Sequence, residues 1–224
     1  ENFNIEIVNS TDKNKRERYV KYLYKKLQRD GQLERDVDRL VRNDRIAWGS
    51  SMIACNDADA MVTGNIRHYA ASIEKLKKVV DSRPGEEIFG MTMMVSKGKT
   101  ILVADTNVRD FPTSERLVDV SISCVRVARL FGFEPKVAFL SHSTFGKPVS
   151  KNTKHVRDAI ELLKKKGVDF DFDGEMQPDV ALNPIYQEIY PFSKIVGRAN
   201  ILIMPALHSA AISTKLMKVF GGGK

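Results

Sequence analysis

The chain has 224 residues and a formal net charge of +8, and 42% of its residues are hydrophobic, 29% charged and 8% aromatic. This balance is typical of a globular protein and excludes a mainly disordered chain. No run approaches 18 apolar residues, and the first six residues have neither the basic start nor the apolar stretch of a secretion signal. Because the sequence begins with Glu1 rather than Met, we expect it to be a piece of a longer protein.

The number of cysteines and the distribution of charge indicate the cellular compartment and the kind of ligand. Cys55 and Cys124 are too few for a disulfide framework, which indicates a reducing compartment, and we expect a cytoplasmic protein with no membrane partner. A basic excess is compatible with nucleic acid or with a phosphate-bearing ligand. After residue 180 the only acidic residue is Glu188. Because the excess of basic residues is confined to the C-terminal part of the chain, we expect a small anionic ligand and no nucleic acid.

Residues 1–84 predict helices around one short strand. Apolar residues recur at helical spacing in three segments, and turn residues follow two of them, Gly31 after the first and Pro84-Gly85 after the last. These predicted helices cover residues 12–29, 33–41 and 73–80. Residues 59–64 (DAMVTG) are short, apolar and end in glycine, which predicts a buried strand.

From residue 88 onwards, predicted strands alternate with predicted helices. The strands cover 88–96, 100–104, 137–140, 168–172 and 199–204, and the helices cover 114–130, 154–166, 179–189 and 207–220. Such alternation indicates an α/β fold with mostly parallel sheets flanked by helices. The proline and glycine in residues 83–86 (RPGE) mark a candidate domain boundary.

Common cofactor motifs are absent from the sequence. The chain has no glycine-rich dinucleotide or phosphate loop and no GxSxG segment. Its four histidines lack metal-ligand spacing, so we expect no metal site.

A first candidate site is residues 140–146 (LSHSTFG), between a predicted buried strand and a predicted helix. Ligands of open α/β sheets bind at the carboxyl ends of strands. The hydroxyls of Ser143 and Thr144 and the backbone N–H of Gly146 would suit a phosphate or a carboxylate. The alternative is a plain loop in which serine and threonine cap the next helix.

A second candidate is residues 173–179 (DGEMQPD), which place three acids at a predicted strand end. They could bind a metal or act as acid and base. We favour the alternative, a turn followed by acids that complement a helix dipole, because no histidine joins the cluster.

Two further candidates are basic. Residues 64–69 (GNIRHY) follow the predicted strand 59–64, and Asn65, Arg67 and His68 could hold an anion there. Lys215 follows the predicted strand 199–204 and a helix start, and could serve the same purpose. The alternatives are a solvated helix start for the first segment and packing with capping for the second.

Five segments stand in the order typical of phosphate acetyltransferases, which move an acetyl group between coenzyme A and phosphate. They are residues 57–64 (DADAMVTG), 104–105 with Pro112, 143–146 (STFG), 173–179 and 199–205 (ANILIMP). Other segments resemble the phosphotransacetylase-like C-terminal region of bacterial NADP-dependent malic enzymes. These are residues 67–69 (RHY), 81–85 (DSRPG), 141–146 (SHSTFG) and 209–215 (SAAISTK).

The resemblance implies the two-subdomain phosphotransacetylase-like fold, which is also like that of isocitrate and isopropylmalate dehydrogenases. Residues 1–86 would form part of the first α/β subdomain, completed in the family by chain beyond residue 224, and 87–224 would form the second, through which the chain dimerises. Its implied ligand is acetyl-CoA, coenzyme A or phosphate, with no other cofactor in this domain. The implied ligand-binding residues are Asn65, Arg67, His68, Ser143, Thr144, Gly146, Asp179 and Lys215.

The sequence departs from true phosphate acetyltransferases at cationic positions. An arginine of the family corresponds to Glu74, a lysine corresponds to Phe145, and only Leu207, Ile212 and Lys215 remain of the family pattern in 206–215. The family's Ser-Arg-Gly segment, which orients coenzyme A, corresponds to chain beyond residue 224. Each close charge is worth a few kcal/mol at an effective dielectric of about 20, so these changes predict weak catalysis.

Three functions are compatible with this pattern. The first is a regulatory and oligomerising module that binds acetyl-CoA, forms a homodimer or higher homo-oligomer, and acts on an N-terminal malic enzyme domain. That domain would carry the NADP and divalent-metal sites outside this chain. The second is an active phosphate acetyltransferase, and the third is a dimerisation scaffold that binds no ligand.

Overall fold

The computed structural model describes residues 5–64, 66–106 and 110–222. It divides into two compact units, Glu1–Pro84 and Gly85–Lys224. This division lies two residues from the boundary that the sequence analysis places after residue 86. No helix among the described residues is long and apolar enough to cross a membrane.

The described part of the first unit is helical. It contains α1 (Lys13–Leu27), α2 (Glu34–Asn43), α3 (Arg45–Ala54) and α4 (Tyr69–Val79), with a short 3-10 turn at Gln28–Asp30. The helices enclose a core that includes the buried side chains of Tyr19, Leu23, Val37, Val41 and Trp48. Caps set two of the helix starts, because the Asp12 and Asp44 carboxylates accept backbone N–H groups at the starts of α1 and α3.

One sequence prediction for this unit is wrong, and one of its helices was not predicted. Residues 59–64 form no strand, and the Val62 side chain is fully exposed. A strand needs a hydrogen-bonded neighbour, and the described part of this unit offers only helices. Helix α3 (Arg45–Ala54) was not predicted, because its mixture of small and apolar residues lacks a clear helical stripe.

The second unit is built around one sheet. Its strands are β1 (Met91–Ser96), β2 (Lys99–Ala104), β3 (Lys136–Leu140), β4 (Asp171–Met176) and β5 (Ile201–Ile203). They lie in the order β1-β2-β5-β3-β4, in which β1 and β2 are antiparallel and all the other neighbours are parallel. The predicted α/β fold with a mostly parallel sheet is therefore confirmed.

Helices cover both faces of this sheet. They are α5 (Ser114–Leu130), α6 (Lys154–Lys166), α7 (Pro178–Leu182) and α8 (Leu207–Phe220). Side chains alternate along the strands: Leu102 and Phe139 point into the core shared with α5 and α6, whereas Val103 and Ala138 point into the core with α7 and α8.

Three predicted boundaries of this unit need correction. Strand β4 begins three residues after the predicted start and runs to Met176, so Asp173 and Glu175 lie within the strand instead of following it. Strand β1 begins at Met91 rather than at residue 88. The predicted helix over 179–189 is two short pieces, α7 and a 3-10 turn at Pro184–Gln187, because Pro184 prevents α7 from continuing.

Candidate ligand-binding site

The parallel strands of the second unit end at one edge of the sheet, and the 141–147 loop follows β3 there. Its geometry depends on the side chain of Glu175 in β4, which is only 1% exposed. One carboxylate oxygen of Glu175, Oε1, accepts hydrogen bonds from the Ser143 hydroxyl at 2.9 Å and from the Gly146 N–H at 2.9 Å. Glu175, which the sequence suggested was an acid of a turn before a helix, therefore holds the loop in place from inside the protein.

Arg157 of α6 extends this network. Its Nη1 lies 3.3 Å from Glu175 Oε1 and donates to the Thr153 hydroxyl at 2.6 Å, while its Nη2 donates to the Ser150 carbonyl at 3.1 Å. The sequence analysis missed Arg157. Its position beside the buried Val156 on α6, next to an otherwise apolar stripe, was the available signal.

Most backbone N–H groups of the 141–147 loop already donate hydrogen bonds within the protein. The N–H of Ser143 donates to the Ser141 hydroxyl at 3.3 Å, and that of Phe145 donates to the Glu175 carbonyl at 2.7 Å. The N–H groups of Thr144 and Lys147 donate to each other's carbonyls. The Thr144 hydroxyl accepts the N–H of Gln177 at 3.2 Å. Most of the backbone N–H groups that the sequence suggested for a ligand are therefore already engaged, and we expect a ligand to contact the side chains of the loop.

Phe145 occupies the tip of this loop with a left-handed backbone, φ +47°. Its ring packs against Tyr190 at 5.3 Å and Phe192 at 4.8 Å between ring centroids. These aromatic contacts hold an apolar ring at the position where the resemblance expects a lysine.

The three acids of residues 173–179 are not a cluster. Asp173 accepts the backbone N–H groups of Gly174 and Lys194, Glu175 is buried, and Asp179 is exposed in the first turn of α7. Asp179 is therefore placed where it complements the helix dipole, the alternative that the sequence analysis favoured. In the ranges that the structure describes, no group of three or more His, Cys, Asp or Glu residues could hold a metal ion.

In the first unit, Arg67 is bound to a carboxylate of the protein itself. Asp44 is 7% exposed, and its Oδ1 accepts the N–H groups of Ile46 and Ala47 at the start of α3. Its Oδ2 accepts Arg67 Nη1 at 2.6 Å and the Lys75 ammonium. Burial raises the pKa of Asp44, whereas the hydrogen bonds from Lys75, Arg67 and the two N–H groups lower it. The hydrogen bonds together outweigh burial, so the pKa of Asp44 lies well below its ordinary value.

Arg67 nevertheless lines a groove that the sequence analysis did not foresee. The groove has a volume of about 360 Å³, and its walls include Arg45, Ile46, Met61, Ile66 and Arg67. Within the described part of the chain, the Arg45 side chain has no hydrogen bond or ion pair. The three cations Arg45, Arg67 and Lys75 accompany the single carboxylate of Asp44, which leaves two positive charges uncompensated in this group. The adjacent Asp44-Arg45 pair at a helix start was the signal for this arrangement.

Of the remaining predicted residues, His68 and Lys215 take part in none of these contacts. His68 is exposed at the start of α4, Lys215 is exposed on α8, and Asn65 falls outside the described residues. Glu74 is exposed on α4, 3.4 Å from Lys78. For all eight predicted residues, ligand binding stays a prediction.

Comparison with known proteins places the chain in a family. The family model described as phosphate acetyl/butaryl transferase matches residues 1–224. Among curated proteins, the chain is 45% identical to the NADP-dependent malic enzyme of Rhizobium meliloti over 218 residues, 97% of this chain and 29% of that protein. It is 28% identical to the phosphate acetyltransferase of Bacillus subtilis over 195 residues, 86% of this chain and 60% of that protein.

Solved structures show the same fold. A phosphotransacetylase from Streptococcus pyogenes has a TM-score of 0.82 and 27% identity, covering 92% of this chain and 64% of its own. The EutD phosphotransacetylase from Staphylococcus aureus has a TM-score of 0.82 at 23% identity, covering 99% of this chain and 68% of its own. The chain spans less than a third of the length of the malic enzymes that it matches. It belongs to the phosphate acetyl/butaryl transferase family and is a phosphotransacetylase-like domain similar to the matching part of NADP-dependent malic enzymes.

Proposed function

We propose that this chain is the regulatory and oligomerising domain of an NADP-dependent malic enzyme, and that it binds acetyl-CoA or a related acyl-CoA without turning it over. The 45% identity with the Rhizobium meliloti enzyme over 97% of the chain supports the first part. In this proposal, NADP and a divalent metal act in an N-terminal malic enzyme domain outside the 224 residues. Regulation then requires that acyl-CoA bind two states of the whole protein with different affinity.

The position of Phe145 carries the proposal. Phosphoryl transfer needs positioned cations, because charge develops on the transferred group. The loop keeps its Glu175 anchor, whereas Phe145 fills the place of a family lysine with a ring held by Tyr190 and Phe192. At the place of a family arginine, Glu74 adds a negative charge. A loop that keeps its Glu175 contacts but lacks the family's lysine and arginine favours binding of a ligand over catalysis.

The groove beside α3 supports an anionic ligand. Its two arginines and its apolar side chains Ile46, Met61 and Ile66 match a molecule that has both phosphate groups and apolar surface. Coenzyme A and its thioesters are of this kind. The Arg45 guanidinium, which has no hydrogen-bond or ion-pair partner among the described residues, is available for a phosphate.

Three measurements on the intact protein test the proposal. Acetyl phosphate and coenzyme A are expected to give no acetyl-CoA by thioester absorbance, whereas calorimetry is expected to show acetyl-CoA binding and malate decarboxylation is expected to change with it. Robust thioester formation would instead identify an active phosphate acetyltransferase. A folded oligomer that binds no acyl-CoA would identify a scaffold.

Arg45→Gln is expected to weaken acetyl-CoA binding by about tenfold or more, because a charge-assisted contact to a phosphate is lost. Arg42→Gln is the matched control, since Arg42 is an exposed arginine of α2 that does not line the groove. Equal affinities of the two variants would show that the ligand does not use this groove.

A further inference from the structure

Glu175 is a buried carboxylate whose partners nearly all belong to one loop. At 1% exposure it is among the largest fully buried side chains of the chain. Ser143 and Gly146 each donate to its Oε1 at 2.9 Å, and its main-chain carbonyl accepts the N–H of Phe145 at 2.7 Å. Three of four consecutive loop residues are thus tied to this single residue of β4.

Among the residues that the structure describes, the charge of Glu175 has one cationic partner. Arg157 Nη1 lies 3.3 Å away, and the guanidinium is 34% exposed, so water shares its charge. Burying a carboxylate costs several kcal/mol unless hydrogen bonds and a counter-charge compensate it. The hydroxyl of Ser143 and the N–H of Gly146, both from the 141–147 loop, and the guanidinium of Arg157 in α6 supply that compensation from two separate segments of the chain.

We propose that these three donors form a carboxylate-binding pocket that Glu175 fills, and that Glu175 is thereby the positioning residue of the 141–147 loop. A hydroxyl, a backbone N–H and a guanidinium that converge on one oxygen form the donor set by which proteins bind free carboxylates. In this chain the carboxylate is supplied internally, so the loop is set before any ligand arrives. The existence of the pocket does not depend on the proposed function; only its consequence for acyl-CoA does.

Removing the carboxylate should expose the pocket to a small anion. Glu175→Ala is expected to lower the melting temperature of the intact protein by about 10 °C, because a buried ion pair loses one partner. Formate is then expected to restore part of this loss in a saturable way, whereas chloride at equal ionic strength does not. Glu161→Ala removes an exposed carboxylate that pairs with Lys164, and formate is expected to leave that variant unchanged.

A local readout separates positioning from general stability. The Gly146 amide is expected to exchange its hydrogen about tenfold faster in Glu175→Ala, and formate is expected to slow it again, while amides of α5 remain protected. Glu175→Gln fills the space, so its Gly146 exchange and its melting temperature are expected not to respond to formate. Should Glu175→Ala be recovered only as aggregate, its refolding yield in formate against chloride gives the same comparison.

The proposal is overturned if formate acts no better than chloride on Glu175→Ala, or if Gly146 exchange is the same as in the unsubstituted protein. The effect of Glu175 on acetyl-CoA binding is measured separately. Acetyl-CoA affinity is expected to fall in Glu175→Ala and to recover in formate. If the unsubstituted protein binds no acetyl-CoA, the proposed function fails, while the response of melting temperature and Gly146 exchange to formate still decides the pocket.

Discussion

Gly174→Ala is expected to lower the free energy of unfolding of the second unit by more than about 3 kcal/mol, because the added methyl group collides with backbone atoms. Gly174 lies in β4 with φ +146°, a conformation that L side chains rarely adopt. A Cβ at this position would lie 2.6 Å from the Phe139 carbonyl oxygen and 3.1 Å from the Phe139 Cβ of the neighbouring strand β3. The backbone of Phe139 cannot move aside without breaking the hydrogen bonds between β3 and β4, and β4 is also the strand that contains Glu175.

Gly167→Ala is the matched control for this substitution. Gly167 ends α6 with φ +63°, and nothing lies within 4 Å of a Cβ placed there. This variant suffers only the strain of a left-handed alanine, about 1 kcal/mol. Denaturant unfolding followed by far-UV circular dichroism compares the two variants. Similar losses for both would mean that the contact with Phe139 relaxes at little cost.

Asp44→Asn is expected to destabilise the first unit by about 2–3 kcal/mol at neutral pH. Asparagine is a good helix N-cap and can still accept the N–H groups of Ile46 and Ala47. What is lost is the negative charge that Arg67 and Lys75 share. These two side chains are about one-third exposed, so water offsets part of the loss. Trp48, the single tryptophan of the chain, is buried on the helix that Asp44 caps, so its fluorescence reports this unit.

The difference between the unsubstituted protein and Asp44→Asn should depend on pH. The pKa of Asp44 is lowered in the folded state, so its contribution to stability is fully present above the pKa of about 4 in the unfolded chain. The contribution is lost as the pH falls from that value towards the lower folded pKa. The two proteins should therefore converge in acid. A difference that persists unchanged in acid would contradict the proposed ion pairs, and Asp30→Asn, at an exposed position, is the control.

Much of the second unit could be predicted from local signals. The bounds of α6 and α8 match the prediction, and both are followed by glycine, Gly167 and Gly221. Helix α5 begins after Thr113, whose hydroxyl accepts the N–H of Arg116 as a helix cap. Caps and terminating glycines lie next to the ends that they define, so a single sequence is enough to place them.

Elements that depend on distant partners were harder to predict. Apolar residues at 168, 170 and 172 suggested a strand, but pairing of Asp171 with Lys136 of β3 moves β4 towards Met176. Residues 59–64 have the composition of a strand, yet no strand lies beside them in the described part of the first unit. Composition does not decide whether a segment finds a hydrogen-bonded neighbour.

The candidate site shows the same limit. Glu175 and Asp179 belong to one acidic segment, yet one is buried under a loop 29 to 32 positions earlier in the chain and the other is exposed. Arg67 was predicted either to hold an anion or to lie at a solvated helix start, and its pairing with Asp44 was not foreseen because Asp44 lies 23 positions away. Spacing identifies residues that are adjacent on one element, but it does not reveal which charge a folded chain neutralises with its own residues.

The strand order of the second unit has a consequence for its synthesis on the ribosome. Strand β5 is the last of the five to be made, yet it lies in the middle of the sheet, between β2 and β3. Until Ile201–Ile203 has left the ribosome, the β1–β2 hairpin and the β3–α6–β4 segment are two half-sheets, each with an open, apolar edge. Three residues then join both halves at once. Nascent chains that end before β5 therefore lack a continuous five-stranded sheet. Because their strand edges stay exposed, we expect chaperones and proteases to bind them.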